Sequence, residues 1–126
     1  IWQIIEERSS KSGGHIHIAT QHLDRGPVIT YYSFPLNGPG FDPLWRENRN
    51  IPVEQIKSSD GESAPLFQAI RNEGMKRERP LLVETLRALS NGHIGVEDGI
   101  VTRNGTTING GLNMNDAVDR ALARED

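Results

Sequence analysis

The amino-acid sequence predicts an α/β fold that consists of a small mixed sheet, flanking helices and a C-terminal hairpin followed by a helix. Residues 15–18 alternate polar and apolar side chains, and residues 27–34 are rich in β-branched and aromatic ones, as strands are. Between Ala64 and Ser90, apolar residues recur at helical spacing. An Asp-Gly pair at 98–99 separates two apolar runs, which is typical of a tight hairpin.

The N-terminal segment Ile1–Arg8 predicts a helix, because Trp2 and Ile5 fall on one face at helical spacing. No Ser, Thr, Asp or Asn precedes this helix to cap its first amide groups. A helix that starts without a cap predicts that further sequence precedes Ile1, or that processing has removed it. Ser9–Gly14 is polar and ends in glycine, so we expect a connector there.

The middle of the chain, Pro35–Ser63, shows no clear periodicity and holds four prolines and three glycines. Segments of this length without regular structure are usually functional or mobile. We therefore expect an irregular connection here, with Phe41, Leu44 and Trp45 holding part of it against the core.

The long helical segment that follows contains Pro80, which predicts either a kink or a division into two helices. Its first apolar stripe consists of Leu66, Phe67 and Ile70. Its second consists of Leu82, Leu86 and Leu89, with Leu81 and Val83 adjoining. Both stripes are expected to face the core.

The C-terminal part of the chain carries several turn and cap signals. Asn91-Gly92 is a helix stop, and Asn104-Gly105 predicts a second turn after the Asp98-Gly99 hairpin. Asn113 or Asn115 is expected to cap a last helix. That helix would bury Ala117, Val118, Ala121 and Leu122.

Length and composition exclude several classes of protein. The 126 residues suit one domain, and without cysteine there are no disulfides, thiolate nucleophiles or thiolate zinc sites. A formal net charge of −3 argues against nucleic-acid binding. No apolar run approaches the roughly 20 residues that span a bilayer, and Ile1–Arg8 is not a signal peptide, so we expect a cytoplasmic protein without membrane contact.

The densest group of reactive side chains lies at residues 15–27, where His15, His17, His22 and Asp24 precede Gly26-Pro27. His15 and His17 share one face of the predicted strand. A carboxylate on a tight turn beside histidine suits general acid–base chemistry. Two other interpretations stay open: Asp24 as a turn aspartate that bonds nearby amides, and a metal site in a hydrolase that uses His15, His17, His22 and Asp24.

The run from His17 to Ile29, His-Ile-Ala-Thr-Gln-His-Leu-Asp-Arg-Gly-Pro-Val-Ile, resembles the folate-dependent formyltransferase family, in particular the phosphoribosylglycinamide formyltransferases. That family has a strand ending in Val-His, a loop, then Leu-Asp-x-Gly-Pro and a strand beginning Val-Ile. The remaining predicted elements follow in a compatible order, except Pro35–Ser63, which is longer than expected. The resemblance implies a single, partial domain at 1–126, the C-terminal half of a formyltransferase-type fold.

The resemblance also implies roles for individual residues. Asp24 and His17 match the family's catalytic aspartate and its histidine near the folate. The segment that would hold 10-formyltetrahydrofolate consists of Ala19, Thr20, Gln21, His22, Leu23 and Asp24. No metal is expected. The family's asparagine, its second histidine and its phosphate-binding loop lie upstream of the matching segment, so this chain alone is expected to turn over negligibly.

The formyl acceptor is less well indicated than the folate. The resemblance implies an amine, with glycinamide ribonucleotide of purine biosynthesis as the leading one. However, aligning on Pro80 places Met75 where the family has a substrate-contacting glutamate, with Glu73 and Glu78 offset. A non-catalytic formyltransferase-like module for binding or assembly, including a homo-oligomer, is the alternative.

Overall fold

The structure, a computed structural model, describes residues 1–18 and 26–125. Its elements are α1 (Trp2–Glu7), β1 (Lys11–His17), β2 (Val28–Pro35), α2 (Asp42–Glu47), α3 (Val53–Ser59), α4 (Pro65–Ser90), β3 (Ile94–Glu97), β4 (Ile100–Arg103), β5 (Thr106–Thr107), β6 (Leu112–Asn113) and α5 (Asn115–Glu125). The predicted α/β class is confirmed. Among the described residues, no helix is both long and apolar enough to cross a membrane.

The chain divides into two compact units. The first consists of Ile1–Ser12 and Phe34–Met75, and the second of Gly13–Ser33 and Lys76–Asp126. Each unit combines segments that are distant in sequence, so its core depends on contacts that no local pattern specifies.

In the first unit, the predicted N-terminal helix is confirmed as α1. Ile1 stands at its N-cap without a side-chain capping bond, and Ile5 is buried. The Trp2 ring packs against the ring of Phe67 in α4, with 4.7 Å between the two ring centroids. The helix ends at Arg8, whose φ of 52° is left-handed and whose amide bonds back to the carbonyls of Ile4 and Ile5.

The prediction of an irregular segment at Pro35–Ser63 is wrong. The structure forms α2 and α3 there, followed by a turn of 3₁₀ helix at Gly61–Ser63. Two of the prolines begin these helices: Pro43 lies in the first turn of α2, and Pro52 is the N-cap of α3. Proline has no amide hydrogen to lose at a helix start, and its fixed φ suits one. The prolines that obscured the helical pattern therefore mark where the helices start.

The predicted connector Ser9–Gly14 is also wrong, because β1 already begins at Lys11. Its two glycines allow close pairing with β2. A Cβ on Gly13 would overlap the carbonyl oxygen of Tyr32, and a Cβ on Gly14 would lie 2.8 Å from the Tyr32 hydroxyl oxygen. Glycine here permits close approach of a neighbouring strand, although in sequence it resembles a loop signal.

The sheet that contains β1 and β2 has the order β1-β2-β6. β2, which the sequence predicts, is confirmed, and β6 lies parallel to it, with Thr30 opposite Leu112 and Tyr31 opposite Asn113. The Asn115 side chain then continues the pairing: its Oδ1 accepts the amide of Ser33 at 2.8 Å. A two-residue strand is thereby extended by a side chain that supplies the next acceptor.

The hairpin prediction is confirmed. β3 and β4 pair antiparallel, with Glu97 opposite Ile100, around Asp98 (φ 51°) and Gly99 (φ 75°). Both turn residues are left-handed, which matches the twist of the flanking strands. The second predicted turn, Asn104-Gly105, joins β4 to β5 with the same backbone signs.

Helix α4 runs unbroken from Pro65 to Ser90 with Pro80 inside it, so the alternative of two helices is wrong. The first predicted stripe is confirmed, since Leu66, Phe67 and Ile70 are all buried. The first half of α4 therefore anchors the core of the first unit.

The second predicted stripe of α4 is confirmed only in part. Leu81 is buried and Leu89 packs against the core cluster of the second unit, whereas Leu82 and Leu86 are 50% and 56% exposed. The buried row consists of Leu81, Thr85 and Ala88. Both rows have helical spacing, and the row with more leucines is the more apolar one in sequence. The helix nevertheless turns Thr85 toward the core, because the Thr85 hydroxyl is hydrogen-bonded there to Thr30 and to the carbonyl of Leu81.

Thr30 and Thr85 form a buried hydroxyl pair in the second unit, with exposed fractions of 0% and 2%. Their oxygens lie 2.7 Å apart, and the Thr85 hydroxyl donates to the carbonyl of Leu81 at 2.6 Å. Each hydroxyl has one hydrogen, so Thr30 donates to Thr85.

This arrangement predicts an asymmetric double-mutant cycle. We expect Thr85→Val to cost about 2 kcal/mol of unfolding free energy, because it leaves the Thr30 hydrogen buried and unpaired. Thr30→Val should cost less, since Thr85 still donates to Leu81. The double variant should cost less than the sum of the two. Urea unfolding of all four proteins checks this, and additive costs would contradict the pairing.

The last predicted helix is confirmed as α5. Val118 is only 1% exposed, and Ala117, Ala121 and Leu122 are half-buried. Asn113 accepts the amide of Asn115 at 2.8 Å, so the predicted capping role belongs to Asn113.

Candidate functional site

Two histidines lie side by side at the end of β1. The ring centroids of His15 and His17 are 5.5 Å apart, and the ring planes are tilted by 50°. His15 is exposed and His17 is half-buried. The predicted placement of both side chains on one face of a strand is therefore confirmed.

Packing on the opposite face of the strand fixes this orientation. Ile18 packs against the buried cluster of Ala88, Ile94 and Val101. Because successive residues of extended chain point to opposite sides, burying Ile18 turns His17 the other way. The position of His17 thus follows from the apolar core of the second unit.

A backbone hydrogen bond joins the residue after β1 to the residue before β2. The Ile18 amide donates to the carbonyl of Pro27 at 2.8 Å, so residues 18 and 27 are held together.

The hydrogen bonding of His17 indicates how its ring is protonated when neutral. Its Nδ1 lies 3.2 Å from the carbonyl oxygen of Ile18. A carbonyl can only accept, so this contact assigns the hydrogen of neutral His17 to Nδ1. In that neutral tautomer Nε2 bears the ring lone pair, so Nε2 can donate a hydrogen bond only when the imidazole is protonated.

Most of the predicted site lies outside the described residues. This holds for Asp24 and for the predicted folate-holding residues Ala19, Thr20, Gln21, His22 and Leu23. Of the predicted catalytic pair, the structure therefore places only His17. Within residues 1–18 and 26–125, no group of three His, Asp or Glu side chains is arranged to hold a metal. His22 and Asp24, two of the four residues of the metal hypothesis, are outside that range.

Tyr32 is a supporting residue that the sequence does not single out. It is 5% exposed, and its ring atoms lie against Gly14, which belongs to the β1 face opposite His15 and His17. Burial raises the pKa of Tyr32; Glu78 adds to this increase, and Arg77 opposes it. The phenol therefore stays protonated. Tyr32 packs against β1 on the face opposite His15 and His17. In the sequence, only the adjacent glycines Gly13 and Gly14 could have indicated that a large side chain packs against this strand.

No protein-family model matches this chain, and no curated protein or solved structure matches it either. The resemblance to formyltransferases therefore rests on the residues from His17 to Ile29 and on the order of the elements. Next to that run, the described residues show the ring pair of His15 and His17 and the hydrogen bond from Ile18 to Pro27.

Proposed function

We propose that this chain carries the folate-side half of a formyltransferase site, with a cytoplasmic reaction that transfers a formyl group from 10-formyltetrahydrofolate to an amine. The observation that carries the proposal is the placement of His17. It ends β1 directly before the Asp24 segment, whose base is closed by the bond from Ile18 to Pro27. A rigid base of this kind is what an acid–base pair at a loop requires.

The reaction defines what these side chains must do. The amine nitrogen attacks the formyl carbon and forms a tetrahedral oxyanion, which collapses by breaking the bond between that carbon and N10 of the folate. One proton must leave the attacking nitrogen and another must reach N10. Asp24 is assigned to relay these protons. His17, in its protonated form with a hydrogen on Nε2 as well, is assigned to donate a hydrogen bond to the formyl oxygen and to the oxyanion that develops from it.

The acceptor is proposed as glycinamide ribonucleotide, on the resemblance alone. Met75, which stands at the position of the family's glutamate, is 57% exposed and offers no carboxylate. A different small amine is therefore the first variation to test.

The proposal predicts folate binding without turnover for this chain alone. Calorimetry should detect saturable binding of 10-formyltetrahydrofolate, while formyl transfer to glycinamide ribonucleotide stays at the uncatalysed rate. His17→Gln should weaken binding about tenfold, because the hydrogen bond from the protonated imidazole to the formyl oxygen is lost. His93→Gln, at an exposed histidine of the second unit, is the matched control and should bind normally.

Two results would count against this proposal. Absence of folate binding would remove the folate role, and a normal enzymatic rate would contradict the expectation that the rest of the site lies upstream.

The alternative, a formyltransferase-like assembly module, is favoured by one specific observation. Leu82, Val83 and Leu86 leave an apolar face on α4 exposed, where an isolated protein would carry polar residues. The two functions differ in outcome: the module associates with itself or another protein through this face and does not bind folate. Sedimentation of the same sample used for calorimetry distinguishes them.

A further inference from the structure

A cleft of about 360 Å³ lies within the first unit, between α1, α2 and the start of α3. Its apolar lining consists of Ile5, Trp45, Ile51, Pro52, Val53 and Ile56. Clefts that hold small molecules typically measure roughly 300–1,000 Å³ and combine apolar walls with a few polar groups. This cleft falls at the lower end of that range, so it suits a small ligand.

The walls of this cleft are held in place before any ligand arrives. Ile5 and Ile56 are 5% and 7% exposed, so the core of the unit fixes them. The Trp45 indole nitrogen donates to the carbonyl of Leu36 at 2.9 Å, which sets the plane of its ring. A fixed aromatic wall lowers the entropy that binding must offset.

The charged groups of the cleft favour a cation. Glu6 and Glu54 are its two acidic lining residues, and Arg8 is the one basic residue of its lining. Nη2 of Arg8 donates to the carbonyl oxygens of Asn48 and Arg49, at 3.1 and 2.6 Å. The guanidinium of Arg8 is thus directed at backbone oxygens, and with two glutamates against one arginine the lining has a negative formal charge.

Lys57 lies 3.6 Å from Glu54, but the carboxylate side chain is 81% exposed. An exposed ion pair of this kind is weak. A ligand cation can therefore compete for Glu54.

We propose that this cleft binds a small apolar molecule with a protonated amine. Its apolar body lies against Trp45 and the Ile51–Val53 wall, and its ammonium group faces Glu6 and Glu54. This site uses none of the residues assigned to formyl transfer and does not depend on that function.

The test is an NMR titration of the full chain with 2-phenylethylamine, 3-phenylpropanoate and 2-phenylethanol, which carry a cation, an anion and a neutral group on one scaffold. The Trp45 indole signal, assigned with Trp45→Phe, and the amides of Ile51 and Val53 report on the cleft. We expect saturable shifts with the amine and about tenfold weaker binding of the acid.

Substitutions separate the effect of charge from nonspecific binding of the apolar ring. The double variant Glu6→Gln, Glu54→Gln should bring the amine to the level of the alcohol. Glu47→Gln, an α2 glutamate outside the cleft lining, should leave the amine affinity unchanged. Val53→Trp, which fills the cleft, should abolish the shifts. The variant should still unfold at the same temperature as the unsubstituted chain.

Three results would overturn the proposal: no saturation with the amine, equal binding of amine and acid, or shifts that survive Val53→Trp.

Discussion

Under the proposed function, Asp24→Asn is expected to lower formyl transfer about a thousandfold in a protein that supplies the rest of the proposed site, because the amide cannot accept and pass on a proton. Asparagine keeps the size of the side chain and one acceptor oxygen. Folate affinity should therefore change much less than the turnover number. The measurement is steady-state kinetics together with calorimetric binding of 10-formyltetrahydrofolate.

The matched control for this change is Asp98→Asn. Asp98 occupies a left-handed turn position (φ 51°) before Gly99, where Asn is equally suited. It should therefore retain both folding and activity. Thermal unfolding of both variants separates catalytic loss from misfolding. Full activity of a folded Asp24→Asn protein would contradict the relay role. Loss of activity together with loss of folding would instead support the interpretation of Asp24 as a structural turn residue.

Gly13→Ala is expected to destabilise the second unit by about 3 kcal/mol, the upper part of the usual cost of overpacking. The new Cβ would overlap the carbonyl oxygen of Tyr32 and approach the Cα of Ser33 within 3.2 Å. Both are backbone atoms of β2, so the conflict cannot be relieved by rotating a side chain. The strands must separate locally, and urea unfolding measures the cost.

Gly40→Ala provides the comparison. Gly40 has no heavy atom within 4 Å of an added Cβ and no left-handed backbone requirement, so its substitution should be nearly neutral. Because β1 and β2 form the base of the Asp24 segment, Gly13→Ala should also weaken folate binding, whereas Gly40→Ala should not. Equal stability of the two variants would show that the strands have room to adjust.

The sequence predicted some elements well because their signals are local. The Asp98-Gly99 turn requires two left-handed residues, and few pairs other than Asn-Gly, Asp-Gly and Gly-Gly meet that requirement. Likewise, Val118 and its neighbours repeat at helical spacing next to a capping Asn113. These features depend on residues a few positions apart.

The errors occurred where a residue's role depends on a distant partner. Gly13 resembles a loop residue until Tyr32 of the neighbouring strand is placed against it. Thr85 is polar in sequence, yet Thr30, 55 positions away, satisfies it in the core. Pro43 and Pro52 indicate a loop unless a helix is known to begin there.

By itself, the sequence determined the α/β class, the hairpin, the terminal helices and the shared face of His15 and His17, because backbone preference and periodicity act within a few residues. Only the tertiary structure decided which face of α4 is buried, that Lys11–Gly14 is a strand, and that Trp45 forms the wall of a cleft. These outcomes depend on which distant side chains satisfy buried polar groups and fill space, and that free energy exists only once the chain has folded.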